Sequence, residues 1–287
     1  MTETFAADSM LVRENLIDIS FQKRYLHLVY FWMFTGLLVS GSTAYLVYRS
    51  PLISGLILDS FLVFFGLLIA ELILVSRISS NIDILTPLQA RTMYLIYTFM
   101  TGLTLSVIFF VYTESSIYSL FGISSLTFGI MSVYGYTTNT DLSGIGNLLL
   151  TFVIGLIIAL AGNLFLQSSG LDLIISIIGV LVFSGLTAYD TQKLKRLSQG
   201  DLEVLKELGF SSKKDNNKES DKKTADAKQE GKQKIDIKPE KLKSPEIIAA
   251  GSAAHKEAII GALILYLDFV NLFLYILRAM GENNDND

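Results

Sequence analysis

Two aspartates lie where an acid is costly to keep. Asp190 falls in GLTAYDTQKLK, residues 185 to 195, close to the end of an apolar segment. Asp268 falls in ALILYLDFVNLFLYILR, residues 262 to 278, the last apolar segment of the chain. An ionisable side chain in a membrane helix costs several kcal/mol unless it faces the bundle interior and finds a partner, so each acid is a candidate functional group. If the two carboxylates meet, they cannot both ionise cheaply and should share one proton. Loss of that proton leaves two negative charges, which can repel and open the bundle, draw in Arg77 as a counter-ion, or take a hard divalent cation through oxygen. Two carboxylates are too few ligands for tight calcium binding. A calcium site at Asp190 and Asp268 would therefore be weak and transient, its shell completed by carbonyls, Asn271 or water.

The elements that must position these acids are read from hydrophobicity. Of 287 residues, 51% are apolar, and the apolar residues are concentrated. Stretches at 25–48, 52–76, 90–113, 116–136, 146–166, 171–191 and 257–278 each reach the roughly 20 residues that a bilayer requires. The expected fold is an all-α integral membrane protein with seven transmembrane helices. Residues 1–24 form a mixed-charge leader, 25–196 hold the first six spans, 257–278 form the seventh, and 279–287 a polar tail. No small-residue cleavage site follows the first span, which reads as a retained helix. Between the sixth and seventh spans lies an insertion, 197–256. From Ser211 to Lys243 it carries 11 lysines against 7 acids and almost no large apolar side chain, so it cannot bury a core and is expected to be disordered.

Arg13, Lys23, Arg24, Arg77, Arg91, Lys193, Lys195 and Arg196 all fall on one side of this topology, with Arg49 and Arg278 on the other. The positive-inside rule then makes the N-terminus cytoplasmic. The chain has no cysteine and two histidines, His27 and His255, one towards each end. This excludes disulfides, thiol catalysis and cysteine metal sites, and shows no histidine pair at metal-ligand spacing.

Within the spans, polar residues are few enough to take singly. The second span holds Asp59 and Glu71, with Glu71 and Arg77 placed towards its cytoplasmic end. Gly122, Ser124, Ser125, Gly129 and Ser132 recur along the fourth, where small residues let backbones approach. Thr137, Thr138, Asn139, Asp141 and Ser143 make a turn and a cap for the fifth span, in which Asn163 reads as interhelical glue. On the seventh, Gly261, Asp268, Asn271 and Tyr275 share one face at helical spacing, and on the sixth Thr187 lies one turn before Asp190.

The strings SRISS (76 to 80), TFGIMSVYGYTTNTDLSG (127 to 144), GLTAYDTQKLK (185 to 195) and LYLDFVNLFLYILR (265 to 278) resemble the Bax inhibitor-1 family in its bacterial form. The resemblance covers nearly all seven spans in order. It implies six helices wrapped around a central seventh, and a pH-dependent calcium leak in which an aspartate pair, matched by Asp190 and Asp268, is the sensor. It also implies an arginine latch matched by Arg77; Glu71 and Asn271 are expected as further polar lining beside these residues. No cofactor is implied: calcium enters as the permeant ion. The partners expected are the lipid bilayer, calcium ions and protons, and a second membrane protein in a regulatory reading; no nucleic acid is among them. The location implied is a bacterial inner membrane. The insertion is longer than the link usual in the family, which bears on regulation.

Other classes remain. Paired aspartates in consecutive spans also build intramembrane aspartyl proteases, but Leu265-Tyr266-Leu267-Asp268 lacks the Gly-x-Gly-Asp pattern expected there, and no Pro-Ala-Leu signature is present. A serine protease would need a histidine base in a late span. Nothing in the sequence excludes the alternative, a non-conducting regulator that binds another membrane protein such as a protease. A proton-coupled transporter would show internal repeats or broken helices.

Overall fold

The computed structural model of the protein describes residues 2–80, 84–199 and 245–281; for 2–24 and 245–255 it describes the course of the helix alone. Most of the lysine-rich insertion, and the end of the polar tail, lie outside the described residues. Among the described residues the elements are helical: α1 (Thr2–Tyr48), α2 (Pro51–Leu58), α3 (Phe61–Ser80), α4 (Pro87–Leu105), α5 (Ile108–Val111), α6 (Glu114–Thr137), α7 (Ser143–Leu166), α8 (Ser169–Ser198) and α9 (Pro245–Met280). Seven stretches are long and apolar enough to cross a membrane: Tyr25–Tyr48, Phe61–Ser80, Pro87–Val111, Glu114–Thr137, Ser143–Leu166, Ser169–Ser198 and Lys256–Met280.

Local chemistry explains most of the boundaries. Thr86 opens α4 with a reciprocal capping box to Gln89, with Pro87 in the first turn. Thr113 accepts from the Ser116 N–H at 3.2 Å, and Ser168 from the Leu171 N–H at 3.3 Å. Pro51 restarts the chain after Ser50, as the Arg49-Ser50-Pro51 turn suggested.

The second span departs from the expected 52–76. Asp59 closes α2, its N–H bonded to the Gly55 carbonyl, and the membrane helix is Phe61–Ser80. Glu71 therefore stands midway along α3, not towards one end. α1 runs unbroken through the leader. α9 starts at Pro245, inside the stretch assigned to the insertion, because proline at a helix start and the alanine-rich EIIAAGSAAHK both favour helix.

The last span is the most enclosed, with 78% of its most apolar window buried against 6% for α3 and 11% for α7. α9 packs principally against α8, α1, α6 and α4, while α3 leans on α4 and α7 on α8. Lipid offers helices no hydrophobic reason to associate, so close packing must hold them, and it depends on small residues at the crossings. Of the small residues in α6, Gly122 and Gly129 face open space. Ser124 and Ser132 are buried, and Gly135 lies so close to α8 that a Cβ there would overlap the Ala188 carbonyl. Gly102 similarly admits the backbone of Ser40 in α1, at 2.6 Å from where its Cβ would stand.

Gly135→Val should force α6 from α8 and cost about 1–3 kcal/mol or more, since the obstacle is backbone. Gly122→Ala should stay within about 0.5 kcal/mol. Thermal unfolding of both variants in detergent measures the difference.

Candidate functional site

α8 and α9 run antiparallel and are keyed at two levels. Tyr275 lies over Gly179 and stacks on Phe183, with ring centroids 5.5 Å apart at 24°. Seven residues further along each helix, Asp190 and Asp268 meet, carboxyl group facing carboxyl group. Seven residues is about two helical turns, so one contact sets the register of the other. Asp268 is 5% exposed, and its Oδ2 has no hydrogen-bond partner. Asp190 is half-buried. Thr187, one turn before Asp190, is fully buried and donates to the Phe183 carbonyl at 2.8 Å.

Seven residues from Asp268 on α9 is Gly261. A side chain there would press on Val29, Leu194 and the Tyr25 hydroxyl, so α1 and α8 close over α9 at that level. Asn271 donates its amide to the Leu267 carbonyl of its own helix at 2.8 Å. Arg77 is exposed in the last turn of α3, in a shallow groove with Ile69, Leu72, Ile73, Ser76 and Ser80. α3 packs principally on α4 and α2, whereas the two acids lie on α8 and α9. The structure thus brings together Asp190 and Asp268, and carries Arg77 and Glu71 on α3.

Glu71 faces α4. Thr104 donates to its Oε1 at 2.9 Å, and the Thr101 hydroxyl lies 3.4 Å from its Oε2.

Below the acid pair, the end of α8 clamps the loop from α6 to α7. Gln192 donates to the Thr140 carbonyl at 2.8 Å and accepts the Leu142 N–H at 2.9 Å. Lys195 donates to the Tyr136 carbonyl at 2.8 Å, and Arg196 reaches Asp141 at 3.1 Å and the Ser143 hydroxyl at 2.8 Å. Asp141 also accepts the Ser143 N–H at 3.0 Å, so it prepares the start of α7 two residues before Ser143, while Leu142 occupies the cap itself. Hydrogen bonds from Ser143, with Arg196 adding to them, hold the Asp141 carboxyl below the usual aspartate range. Ser132 joins Tyr30 of α1 to Thr191 of α8 through hydroxyl hydrogen bonds, the second 3.1 Å long.

At the opposite face Arg278 makes a two-point ion pair with Asp172, its Nε 2.8 Å from Oδ2, and Asn163 donates to Asp172 at 3.1 Å. Asn163 is interhelical glue, as its lone polar character suggested. The sequence reading missed the Gln192 clamp and the Asp172–Arg278 pair. Neither has a local signature, because each partner is 50 or more residues away.

A family model described as "Inhibitor of apoptosis-promoting Bax1" matches residues 22–209. The chain belongs to the Bax inhibitor-1 family. "Inner membrane protein YbhL" of Escherichia coli (strain K12) is 37% identical over 258 residues, covering 90% of this chain and 91% of that protein. A Borreliella burgdorferi (strain B31) protein is 35% identical over 272 residues, covering 94% and 96%. A Deinococcus radiodurans protein is 33% identical over 256 residues, covering 89% of each. These Bax inhibitor-1 relatives match nearly end to end, so membership extends to the whole membrane bundle and not to an isolated helix pair.

Two tests address the clamp. Gln192→Leu strands the Leu142 N–H and should cost about 1–3 kcal/mol, read by thermal unfolding. Asp141 has a lowered folded-state value, so its contribution is present above its ordinary 3.8 and is lost as pH falls through the lower folded value. Hydrogen exchange of 138–143, corrected for intrinsic rate, should therefore accelerate on acidification below that point, and Asp141→Asn should flatten the step.

Proposed function

We propose that the protein is a pH-sensitive calcium leak of a bacterial inner membrane, with its N-terminus cytoplasmic, gated by the proton shared between Asp190 and Asp268. The observation that carries this reading is the direct contact of the two carboxyl groups between α8 and α9, with one Asp268 oxygen unpartnered. Such a contact is favourable while a proton lies between the acids and turns repulsive once both ionise. Asp268 stands about 18 Å from the Lys256 end of its span at 1.5 Å per residue, deep enough that the charge must be repelled outward, met by a cation, or countered by an arginine. Calcium meets oxygen ligands well, and a two-carboxylate site releases it readily, as a conduction site must.

Arg77 is the counter-ion of the open state in this reading. Arg77 is carried by α3, the least buried of the seven spans, which suits that helix to the part. Glu71 and Asn271 are polar lining of the same path. Calcium is the transported ion and no resident cofactor takes part. No chemical reaction is assigned to the pair, which makes the protein a channel and not an enzyme. The partners are the bilayer, protons and calcium. The positive-inside orientation puts the Gln192, Lys195 and Arg196 clamp on the cytoplasmic side.

The experiment is calcium flux into liposomes containing the purified protein across a pH series. Flux should rise with pH in the wild type and lose its pH dependence in Asp190→Asn, Asp268→Asn and the double variant. Retained dependence in both single variants would rule out this gate. Absence of flux at any pH would favour the alternative, a non-conducting regulator of another membrane protein.

A further inference from the structure

Glu71 lines the proposed path but takes no part in the aspartate pair, and its surroundings are unlike those of that pair. It stands about 13 Å from the Ser80 end of α3 at 1.5 Å per residue, at the depth where an unneutralised charge costs most. Around it are hydroxyls. Thr104 Oγ1 lies 2.9 Å from Glu71 Oε1 and Thr101 Oγ1 lies 3.4 Å from Oε2. The Tyr266 hydroxyl of α9 is fully buried, has no hydrogen-bond partner, and lies on the Thr101 side of this group, with its ring edge-on to Tyr97 at 6.0 Å.

Counting protons shows what this arrangement lacks. A hydroxyl has one proton to donate. Thr104 also lies 3.0 Å from the Thr101 carbonyl, and Thr101 lies 3.0 Å from the Tyr97 carbonyl, each a hydrogen bond along α4. When those two protons go to the helix, the carboxylate is met by oxygen lone pairs alone, and the Tyr266 oxygen adds another. Oxygen facing oxygen at these distances is stable only with a cation between them. Each threonine can instead turn its proton to Glu71, but the negative charge then remains in the hydrocarbon without a counter-charge.

From this geometry we infer a second cation site, separate from the aspartate pair: Glu71, Thr101, Thr104 and the Tyr266 hydroxyl form an oxygen cage at mid-membrane for a single monovalent cation, a proton or a sodium ion. Charge sets the valence. One carboxylate among neutral hydroxyls balances one positive charge, whereas a divalent ion would leave a net positive charge in the bilayer. The titratable groups facing Glu71 are the phenols of Tyr97 from α4 and Tyr266 from α9. α2, also packed on α3, has the sequence PLISGLIL and presents no titratable group. Glu71 is half-exposed on a span that is 6% buried, so the cage opens towards lipid.

That opening supplies the test. Dicyclohexylcarbodiimide, a lipid-soluble reagent, adds across the O–H of a protonated carboxyl, and the O-acylisourea rearranges to a stable N-acylurea that keeps every atom of both reactants. The full-length protein in liposomes is treated with it and digested, and the peptide containing Glu71 is weighed. That peptide should gain the mass of one reagent molecule at low pH without sodium, and Glu71→Gln should not. Labelling should fall about tenfold per pH unit above the titration of Glu71. Protection by sodium chloride at fixed pH, against choline chloride at equal ionic strength, identifies sodium as an occupant; pH dependence without sodium protection identifies the proton alone. Thr104→Val and Tyr266→Phe should shift the pH profile or weaken sodium protection, and Thr104→Ser should restore it. A Glu71 that is never labelled, is labelled regardless of pH and sodium, or is protected by calcium more strongly than by sodium overturns the inference. So does a profile unmoved by Thr104→Val and Tyr266→Phe in folded protein. None of these outcomes depends on calcium flux, so the cage and the aspartate gate stand or fall separately.

Discussion

A carboxyl group in hydrocarbon has to be given a partner by the protein itself, because no water is there to do it. Asp268 imposes this demand at the centre of the most enclosed helix, and Asp190 answers it from α8. For the two to meet, α8 and α9 must hold one register, and the stacking of Tyr275 on Phe183 over Gly179 keeps that register two turns away. α1, α4 and α6 also pack on α9, α1 at Gly261, α4 through Tyr94 and Tyr97 against Tyr266, and α6 through Phe121 and Phe128 against Phe269.

The ends of α8 are tied by different chemistry. At one face Gln192 neutralises a loop N–H and a loop carbonyl together while Lys195 and Arg196 cover neighbouring carbonyl and carboxylate oxygens. At the other, Asp172 holds Arg278 of α9, with Asn163 of α7 satisfying the same carboxylate. In the proposed gate, a helix pinned near both faces answers a change of protonation between the pins by local rearrangement, not by leaving the bundle. α3 and α7 are the two spans that face lipid most.

Two acids in one membrane therefore have two different solutions. Asp268 has a second acid beside it, and in the proposed gate its neutrality depends on a shared proton. Glu71 has hydroxyls, so its neutrality depends on whatever single charge the hydroxyls can help to hold. The distinction arises from what the neighbouring helix carries, α8 in one case and α4 in the other.

The sequence by itself determined the class of molecule, the number and order of the spans, and the family, because a run of about 20 apolar residues has no other stable use and the aspartate strings are distinctive. It also singled out Asp190 and Asp268, since a lone acid in such a run stands out without any knowledge of its neighbours. Only the tertiary structure decided that those two acids touch, that Gly135 and not Gly122 or Gly129 is the close crossing on α6, and that Asp59 ends a helix so that Glu71 falls at mid-depth. The family resemblance brought Arg77 forward with the acids, while the structure places it on a peripheral helix. Gln192 with Thr140 and Leu142, Asp172 with Arg278, and Glu71 with Thr104 were invisible in the chain for one physical reason: helical periodicity tells which residues share a face, and which helix that face meets depends on packing between segments far apart in sequence.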